Sequence, residues 1–428
     1  PDFPEWQDKE FFKKMKWPSF TEALKISHNP TNEIDIDHKN PARQRLAYDE
    51  LLANQLSLAL LAKNFEAPSG QSIKKNNALL NSLYKNIPFE LTNSQKVAID
   101  EISKGLEKPN RMIRLLQGDV GSGKTIVALT ALFQTAGNSK QAALMAPTEL
   151  LARQHYESIK NFCLKSNIKV EILTGKTKKL DRERIVNNLS IGEIDIILGT
   201  HALFQDKISF HNLGLVVIDE QHRFGVHQRL SLTSKNSNNP PDIIIMSATP
   251  IPRTLELTAY GSMQVSRLLE KPLGRKPIKT IAKPLDKVNE AIESLKRLMQ
   301  NGEKAYWVCP LIEESEKIDL AAAEDRFISL KSVYGDNVGL VHGRMSIEER
   351  EETMREFKYG NKNILVATTV IGVGIDVSDA TFIVIEHSER FGLSQLHQLR
   401  GRVGRSDRPS SCLLLYRSPL GENAKKEN

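Results

Sequence analysis

Gly118-Asp119-Val120-Gly121-Ser122-Gly123-Lys124-Thr125 is the stretch on which the fold turns. It stands between a short apolar run, Met112–Leu116, and a run at helical spacing, Ile126–Phe133. Strand, glycine turn and helix is the context that gives the pattern G-x-x-x-x-G-K-T its physical meaning. The glycines let backbone N–H groups close around a phosphate at a helix N-terminus, and the ammonium and hydroxyl next in the chain supply charge and a cation ligand. Lys124 is therefore expected to reach the β- and γ-phosphates of a nucleotide, and Thr125 to ligate Mg²⁺. A glycine turn with a chance Lys-Thr is the alternative that this placement disfavours.

Outward from that loop, short apolar runs alternate with helical segments from Phe89 onward, as in a parallel sheet covered by helices. Strands are predicted at Met112–Leu116, Ala142–Ala146, Asp195–Leu198, Leu215–Ile218 and Asp242–Met246. After a Pro-, Gly- and Lys-rich connector at Lys271–Lys279 the alternation starts again, with strands predicted at Ala305–Cys309, Gly339–His342, Asn363–Ala367, Phe382–Glu386 and Ser411–Leu415. Upstream, Leu46, Leu51, Leu52, Leu56, Leu60 and Leu61 recur at helical spacing behind Pro41, which predicts a long helix over Pro41–Phe65. A break at Pro68–Lys75 precedes a second helix near Asn76–Lys85. The expected division is a helical N-terminal linker region over 1–88, an α/β lobe over 89–270 and a second α/β lobe over 271–428.

Composition bounds the class. The 428 residues exceed what one hydrophobic core usually organises, so roughly three domains of about 150 residues are expected. A hydrophobic content of 40% and a charged content of 26% belong to a folded chain rather than a disordered one. The longest apolar runs, such as Leu213–Ile218 and Ile243–Met246, fall far short of the ~20 residues of a bilayer-spanning helix. The opening Pro1-Asp2-Phe3-Pro4-Glu5-Trp6 has neither an initiator Met nor a secretory signal, as expected of an internal piece of a longer chain. Cys163, Cys309 and Cys412 are odd in number and scattered, which fits a reducing, cytoplasmic setting better than disulfides or zinc. The net charge of +7 fits a phosphate-backbone ligand, and fits as well a basic enzyme with no nucleic-acid partner.

Leu215–Ile218 delivers Asp219-Glu220-Gln221-His222 to the C-terminal end of a predicted strand, where α/β sheets place their ligand crevice. Asp219 is expected to hold Mg²⁺ through a water, and Glu220 to orient and polarise the water that attacks the γ-phosphate in line. An exposed acidic pair ending a strand is common by itself, and the glycine loop upstream is what favours the catalytic assignment.

In serial order these motifs resemble those of superfamily 2 helicases, over nearly everything from Phe89 to Ser406. The resemblance implies an α/β fold of two RecA-like parallel-sheet lobes in tandem, a P-loop NTPase that binds ATP and Mg²⁺. Phe89 and Gln95 match the element that recognises adenine, although a core Phe and a helix-surface Gln are ordinary alternatives. Pro147 and Thr148 in Ala146-Pro147-Thr148-Glu149-Leu150, with Arg153, then Thr174-Gly175, then Thr200 in Gly199-Thr200-His201, match the DNA-backbone contacts of the first lobe. Pro-Thr-Glu is also an ordinary helix start with Thr148 as cap. Ser247-Ala248-Thr249-Pro250-Ile251-Pro252-Arg253-Thr254 matches the motif that couples the nucleotide to the DNA groove, which implies hydroxyl hydrogen bonds from Ser247 and Thr249 to the Asp219–His222 segment.

In the second lobe, the segment from Val366 to Asp376 matches the one that touches DNA, through Thr368 and Thr369, and the ribose, through Gly374 and Asp376. His342 and Gly343 join the implied DNA contacts. Gln395-Leu396-His397-Gln398-Leu399-Arg400-Gly401-Arg402-Val403-Gly404-Arg405 matches the arginine-finger helix. Its Arg402 and Arg405, spaced by three, are expected on one helical face, reaching the γ-phosphate when the lobes close.

The wording narrows the resemblance to the RecG family of branched-DNA translocases: Gly118–Thr125, Asp-Glu-Gln-His-Arg-Phe-Gly-Val at 219–226 and Ser-Ala-Thr-Pro-Ile-Pro-Arg-Thr at 247–254. Pro41-Ala42-Arg43-Gln44-Arg45-Leu46-Ala47-Tyr48-Asp49-Glu50-Leu51-Leu52 also resembles that family's helix between wedge and motor. The resemblance implies a monomeric ATPase that moves on duplex and branched DNA, such as forks and Holliday junctions, in recombination and repair, with no membrane partner and no metal beyond the nucleotide Mg²⁺. Two departures stand out: residues 1–40 are too few for the family's wedge barrel, and the chain stops short of its C-terminal coupling segment. The alternatives are a transcription-repair coupling translocase, whose acidic motif usually reads Asp-Glu-Glu-Gln-Arg-Phe-Gly, and a nucleotide-gated DNA-binding module with little hydrolysis. RNA ranks below DNA because the Asp-Glu-Ala-Asp wording is absent.

Overall fold

The computed structural model of the chain describes residues 5, 8–37, 39–65, 70–204, 208–219, 240–248, 264–270, 272, 276–310, 316–368, 377, 379–404 and 407–418. These residues fall into two compact units, one before residue 69 and one after it.

The first unit is helical: α1 (Lys9–Met15), α2 (Phe20–His28), α3 (Glu33–Ile36) and α4 (Pro41–Phe65). The first three start on side chains that accept backbone N–H groups, namely Asp8, Ser19 with Glu22 in a reciprocal capping box, and Asn32. The long helix covers the predicted residues. Arg45 on α4, only 1% exposed, is held between Glu5 (2.7 Å) and Asp49 (3.1 Å) and lies 4.1 Å from the centre of the Phe12 ring. A cation this deep needs such partners, because burying an unpaired charge costs far more than a hydrogen bond returns.

The second unit opens with α5 (Asn77–Asn86) and α6 (Asn93–Glu107). Ile73, Leu80 and Leu83 are buried in the core of the first sheet. These apolar side chains carry the stretch before α6 onto that sheet. Next in the chain come β1 (Ile113–Gly118), α7 (Lys124–Ala136), β2 (Gln141–Met145), α8 (Glu149–Lys165), β3 (Val170–Leu173), α9 (Lys179–Ser190), β4 (Ile196–Gly199), β5 (Leu213–Asp219), β6 (Asp242–Ser247) and β7 (Gln264–Leu268). Among the described residues these strands form a parallel sheet in the order β3-β4-β2-β5-β6-β1-β7.

The second lobe repeats the plan with β8 (Lys279–Pro284), α10 (Val288–Gln300), β9 (Lys304–Val308), α11 (Glu316–Tyr334), β10 (Val338–Val341), α12 (Ile347–Tyr359), β11 (Ile364–Ala367), β12 (Ala380–Glu386), α13 (Leu393–Arg400) and β13 (Ser411–Tyr416). Its parallel order is β10-β11-β9-β12-β13-β8. No described helix is long and apolar enough to cross a membrane.

Helices on both faces force the interior strands to be apolar on both sides, so β2, β5 and β6 are buried at every residue. α7, packed between α5, α6 and the sheet, is buried from Ile126 to Thr135. Each Leu or Ile removed from water there contributes about 1.5–3 kcal/mol. Two buried carboxylates, Asp242 and Glu386, are partnered. Asp242, 2% exposed at the start of β6, accepts the Met112 N–H at 2.6 Å. Burial pushes its carboxyl up to about 7, against the pull of that N–H, Arg111 and Lys140. In the second lobe Glu386 Oε2 accepts the Trp307 indole N–H (2.8 Å) and the Arg326 Nε–H (3.0 Å), while its Oε1 takes Arg326 Nη2 (2.7 Å). The three cysteines are free and buried.

Candidate nucleotide and nucleic-acid site

Parallel pairing brings the C-terminal ends of the strands to one rim of each sheet, where the chain turns and side chains become available. In the first lobe the register sets Gln117 beside Ser247, Gly118 beside Leu268 and Asp219 beside Met246. The predicted residues gather on this rim: Gly118 ends β1, Pro147 and Thr148 come after β2, Thr174 and Gly175 after β3, Thr200 after β4, and Asp219 ends β5.

The loop after β1 takes its shape from its glycines. Gly121 (φ 78°) and Gly123 (φ 87°) occupy the left-handed region that side chains disfavour. A Cβ on Gly123 would run into the Gln95 amide, and one on Gly118 would lie 2.8 Å from Leu268 Cβ. Gly123 is the N-cap of α7 and supplies no side-chain cap, so the first amides of that helix face the loop. Ser122 Oγ is buried and has no partner among the described residues. Lys124 Nζ donates to the Gly118 (2.6 Å) and Asp119 (3.0 Å) carbonyls. A glycine cradle, an ammonium at its mouth and an orphaned buried hydroxyl fit a polyphosphate. Thr125 stands half-buried in the first turn of α7, within the same cradle.

Gln95, 1% exposed on α6, serves this loop directly. Its Nε2 donates to the Ser122 carbonyl (2.8 Å), and its Oε1 accepts the Thr92 N–H (3.0 Å) in a capping box. Phe89 is 52% exposed. The neighbouring Ser94 N–H donates to Glu270 Oε2 and Ser94 Oγ accepts the Glu270 N–H, both at 3.4 Å, which clasps the chain leaving β7 to the start of α6. Asp219 is 7% exposed and its Oδ2 lies 2.8 Å from His155 Nε2 on α8. His155 belongs to no motif of the sequence, and only the fold brings it to the site.

Beside the nucleotide loop, Thr148 caps α8 by accepting the Leu151 N–H (3.3 Å). Glu149 Oε1 reaches across to the Lys176 N–H (3.1 Å) and so ties the start of α8 to the turn that holds Thr174 and Gly175. Thr174 Oγ1 is buried and, among the described residues, unpartnered. Arg153 and Gly175 are exposed, and the Thr200 carbonyl accepts the Leu203 N–H (3.0 Å).

On the rim of the second sheet, the Thr368 N–H donates to the Val341 carbonyl (3.3 Å), placing Thr368 beside His342. His342 Nδ1 accepts the Arg344 N–H (3.3 Å), and burial lowers the imidazole pKa. Gly343 is exposed, while Thr368 Oγ1 is buried without a partner among the described residues.

The two lobes meet at the phosphate loop. His397 Nε2 on α13 lies 3.2 Å from Asp119 Oδ1, and His397 Nδ1 lies 3.2 Å from Arg400 Nη2. A Cβ on Gly401 would come within 2.6 Å of Val120 Cβ. On the flank, Lys176 pairs with Glu348 at 3.2 Å. One expectation is corrected: Arg402 does not lie on the helix. α13 ends at Arg400 with Gly401 as its cap, Arg402 sits in the next turn at 9% exposure, and Gly404 at φ 73° cannot continue a right-handed helix. Glu220, Gln221, His222, residues 249–254, Thr369, Gly374, Asp376 and Arg405 lie outside the described residues. Among the described residues no separate cluster of three or more His, Cys, Asp or Glu could hold a metal.

The chain matches the DEAD/DEAH box helicase family over residues 92–258 and the helicase conserved C-terminal domain over residues 287–407. The ATP-dependent DNA helicase RecG of Escherichia coli K12 is 44% identical over 411 residues, covering 94% of this chain and 59% of that protein. RecG of Bacillus subtilis is 44% identical over 418 residues, covering 97% of this chain and 60% of that protein. The chain thus spans about three fifths of the length of these relatives. Among solved structures, RecG bound to a three-way DNA junction superposes with a TM-score of 0.81 at 41% identity, over 99% of this chain and 55% of that one. The Mycobacterium smegmatis helicase Lhr, bound to ssDNA and AMP-PNP, superposes at 0.63 with 19% identity over 81% of this chain and 48% of that one, a likeness of fold alone.

Proposed function

Because this chain belongs to the RecG family of ATP-dependent DNA helicases, we propose that it couples ATP hydrolysis to movement on DNA and remodels branched DNA such as stalled forks and Holliday junctions. The observation that carries this is the approach of the second lobe to the phosphate loop, through His397 on Asp119 and Gly401 on Val120. A segment that rests on the loop can respond to what the loop holds.

In this proposal Lys124 neutralises the β- and γ-phosphates, while Gly118, Asp119, Val120, Gly121, Ser122 and Gly123 wrap them with backbone amides. Thr125 and Asp219 would hold Mg²⁺, which when bound supplies positive charge to the phosphate oxygens. Glu220 orients the attacking water, and Arg402 and Arg405 bring charge from the second lobe. Phe89 and Gln95 serve the base and the loop, and Gly374 and Asp376 the ribose. Pro147, Thr148, Arg153, Thr174, Gly175 and Thr200 face the DNA backbone from the first lobe, and His342, Gly343, Thr368 and Thr369 from the second. The unpartnered hydroxyls of Thr174 and Thr368 support that assignment, because a buried hydroxyl without a partner is costly unless a ligand satisfies it.

We take 1–88 as the linker region, 89–270 as the ATP-binding lobe and 271–428 as the second motor lobe. Both sides of the cleft come from one chain, which supports a monomer, and the three buried free cysteines support a cytoplasmic setting. The Gln221-His222 wording and the RecG relatives favour a branched-DNA enzyme over a transcription-coupled one. ATP turnover measured with and without forked DNA tests the proposal. Forked DNA should stimulate the native chain, and Lys124→Ala should abolish turnover. Normal DNA-dependent hydrolysis by Lys124→Ala would overturn the phosphate site, and absence of DNA stimulation in the native chain would leave a binding module instead.

A further inference from the structure

We infer that His155 is a positioning residue that fixes the Asp219 carboxylate for the nucleotide's divalent cation, a role that rests on the metal-holding function proposed for Asp219. The two side chains are 12% and 10% exposed and their polar atoms are 2.8 Å apart, a short contact in a water-poor setting. They stand 64 positions apart in sequence, so the pairing is made by the fold alone. α8 cannot easily release the imidazole. Ala152 and Ile159 flank it on the buried face of the helix, and Cys163 continues that face one turn further.

The start of α8 is fastened as well. Glu149 holds the turn after β3 through the Lys176 N–H, and Leu150 packs against the core of the second lobe. His155 lies six residues on, about 9 Å along the axis at 1.5 Å per residue. A helix anchored at that end sets the position of the imidazole, and the imidazole sets one carboxylate oxygen. The residue type suits the task. An imidazole directs one ring nitrogen at the carboxylate from a short, rigid side chain, where the longer Lys or Arg would bring several donors on a flexible stem. Outer partners of this kind commonly govern metal affinity tenfold to a hundredfold.

The test uses fluorescent ADP binding titrated with Mg²⁺, alongside thermal melting, for the native chain and for His155→Leu, His155→Gln, His155→Asn and Asp219→Asn. His155→Leu should need about tenfold to a hundredfold more Mg²⁺ for half-maximal binding, with Mg²⁺-free ADP affinity kept within about twofold. His155→Gln, whose amide nitrogen reaches the same oxygen, should recover most of the loss, and the shorter His155→Asn should not. If His155→Leu does not fold, the Gln and Asn pair carries the test, and equal Mg²⁺ dependence in those two overturns the role. Native Mg²⁺ dependence in His155→Leu, with loss in Asp219→Asn, also overturns it while leaving Asp219 in place. Native Mg²⁺ dependence in Asp219→Asn instead overturns the metal assignment on which it rests.

Discussion

Replacing Gln95 separates two ways in which one buried amide can serve a nucleotide. The resemblance to superfamily 2 assigns Gln95 to the adenine edge, while in the structure its Nε2 holds the Ser122 carbonyl at 2.8 Å and its Oε1 completes the capping box with Thr92. Gln95 is 1% exposed, so Gln95→Ala takes the donor from the Ser122 carbonyl in a buried setting, and an unsatisfied buried carbonyl costs about 1–3 kcal/mol. If that cost falls on the nucleotide-ready shape of the loop, affinity drops roughly fivefold to 150-fold at 1.4 kcal/mol per factor of ten. In the proposed site the loop grips phosphates, so the drop should be equal for ATP and GTP. Gln95→Glu keeps the capping acceptor but turns a donor into a negative charge beside the phosphates, and should be worse than Ala. Fluorescent ATP and GTP analogues titrated against both variants, with melting of the nucleotide-free chain as a control for folding, give the answer. Unchanged GTP affinity in Gln95→Ala would refute the loop argument and return Gln95 to base recognition.

Glu386→Leu leaves Arg326 and the Trp307 indole N–H without their buried acceptor, and should cost about 3–5 kcal/mol in a urea titration monitored by Trp fluorescence. A loss under about 1 kcal/mol would mean that the cluster relaxes onto other acceptors. Asp242 titrates near 7 in the folded chain against 3.8 for an ordinary aspartate, so its favourable contribution is present below about pH 4 and is lost as pH rises through about 7. Asp242→Asn should therefore show a smaller fall in urea midpoint between about pH 5 and pH 8 than the native chain. Equal falls would show that the Asp242 charge is already compensated in the fold.

The interior of both sheets is legible in the sequence because strands buried on two faces are nearly unbroken apolar runs, as Leu215–Ile218 and Asp242–Met246 show. The strands that escape are all at edges. β3 is half-exposed along most of its length, β7 alternates polar and apolar as Gln264-Val265-Ser266-Arg267-Leu268, and β8 starts in the expected connector, carries Lys at 279 and 283 and ends in Pro284. An edge strand faces water and needs few apolar residues, and charge or proline there guards against unwanted pairing. The glycine loop is legible for a different reason, since its backbone geometry admits few other residues. Spacing alone puts Arg402 on a helix because it says nothing of where a helix stops, and Gly401 and Gly404 decide that locally. His155 with Asp219, and His397 with Asp119, join residues 64 and 278 positions apart, and no local pattern announces such pairs.

β7 is the last strand of the first sheet and its neighbour is the strand that leads into the glycine loop, so the chain passing to the second lobe departs from beside that loop. Leu268 packs on Gly118, and two residues on Glu270 is clasped to the helix that bears Gln95. Tension drawn along β7 by the second lobe is resisted by the whole Arg114–Gly118 ladder in shear rather than one rung at a time. If the loop holds nucleotide as proposed, a load that parts the lobes would reach it through β1 before reaching the strands on the far side of the first sheet.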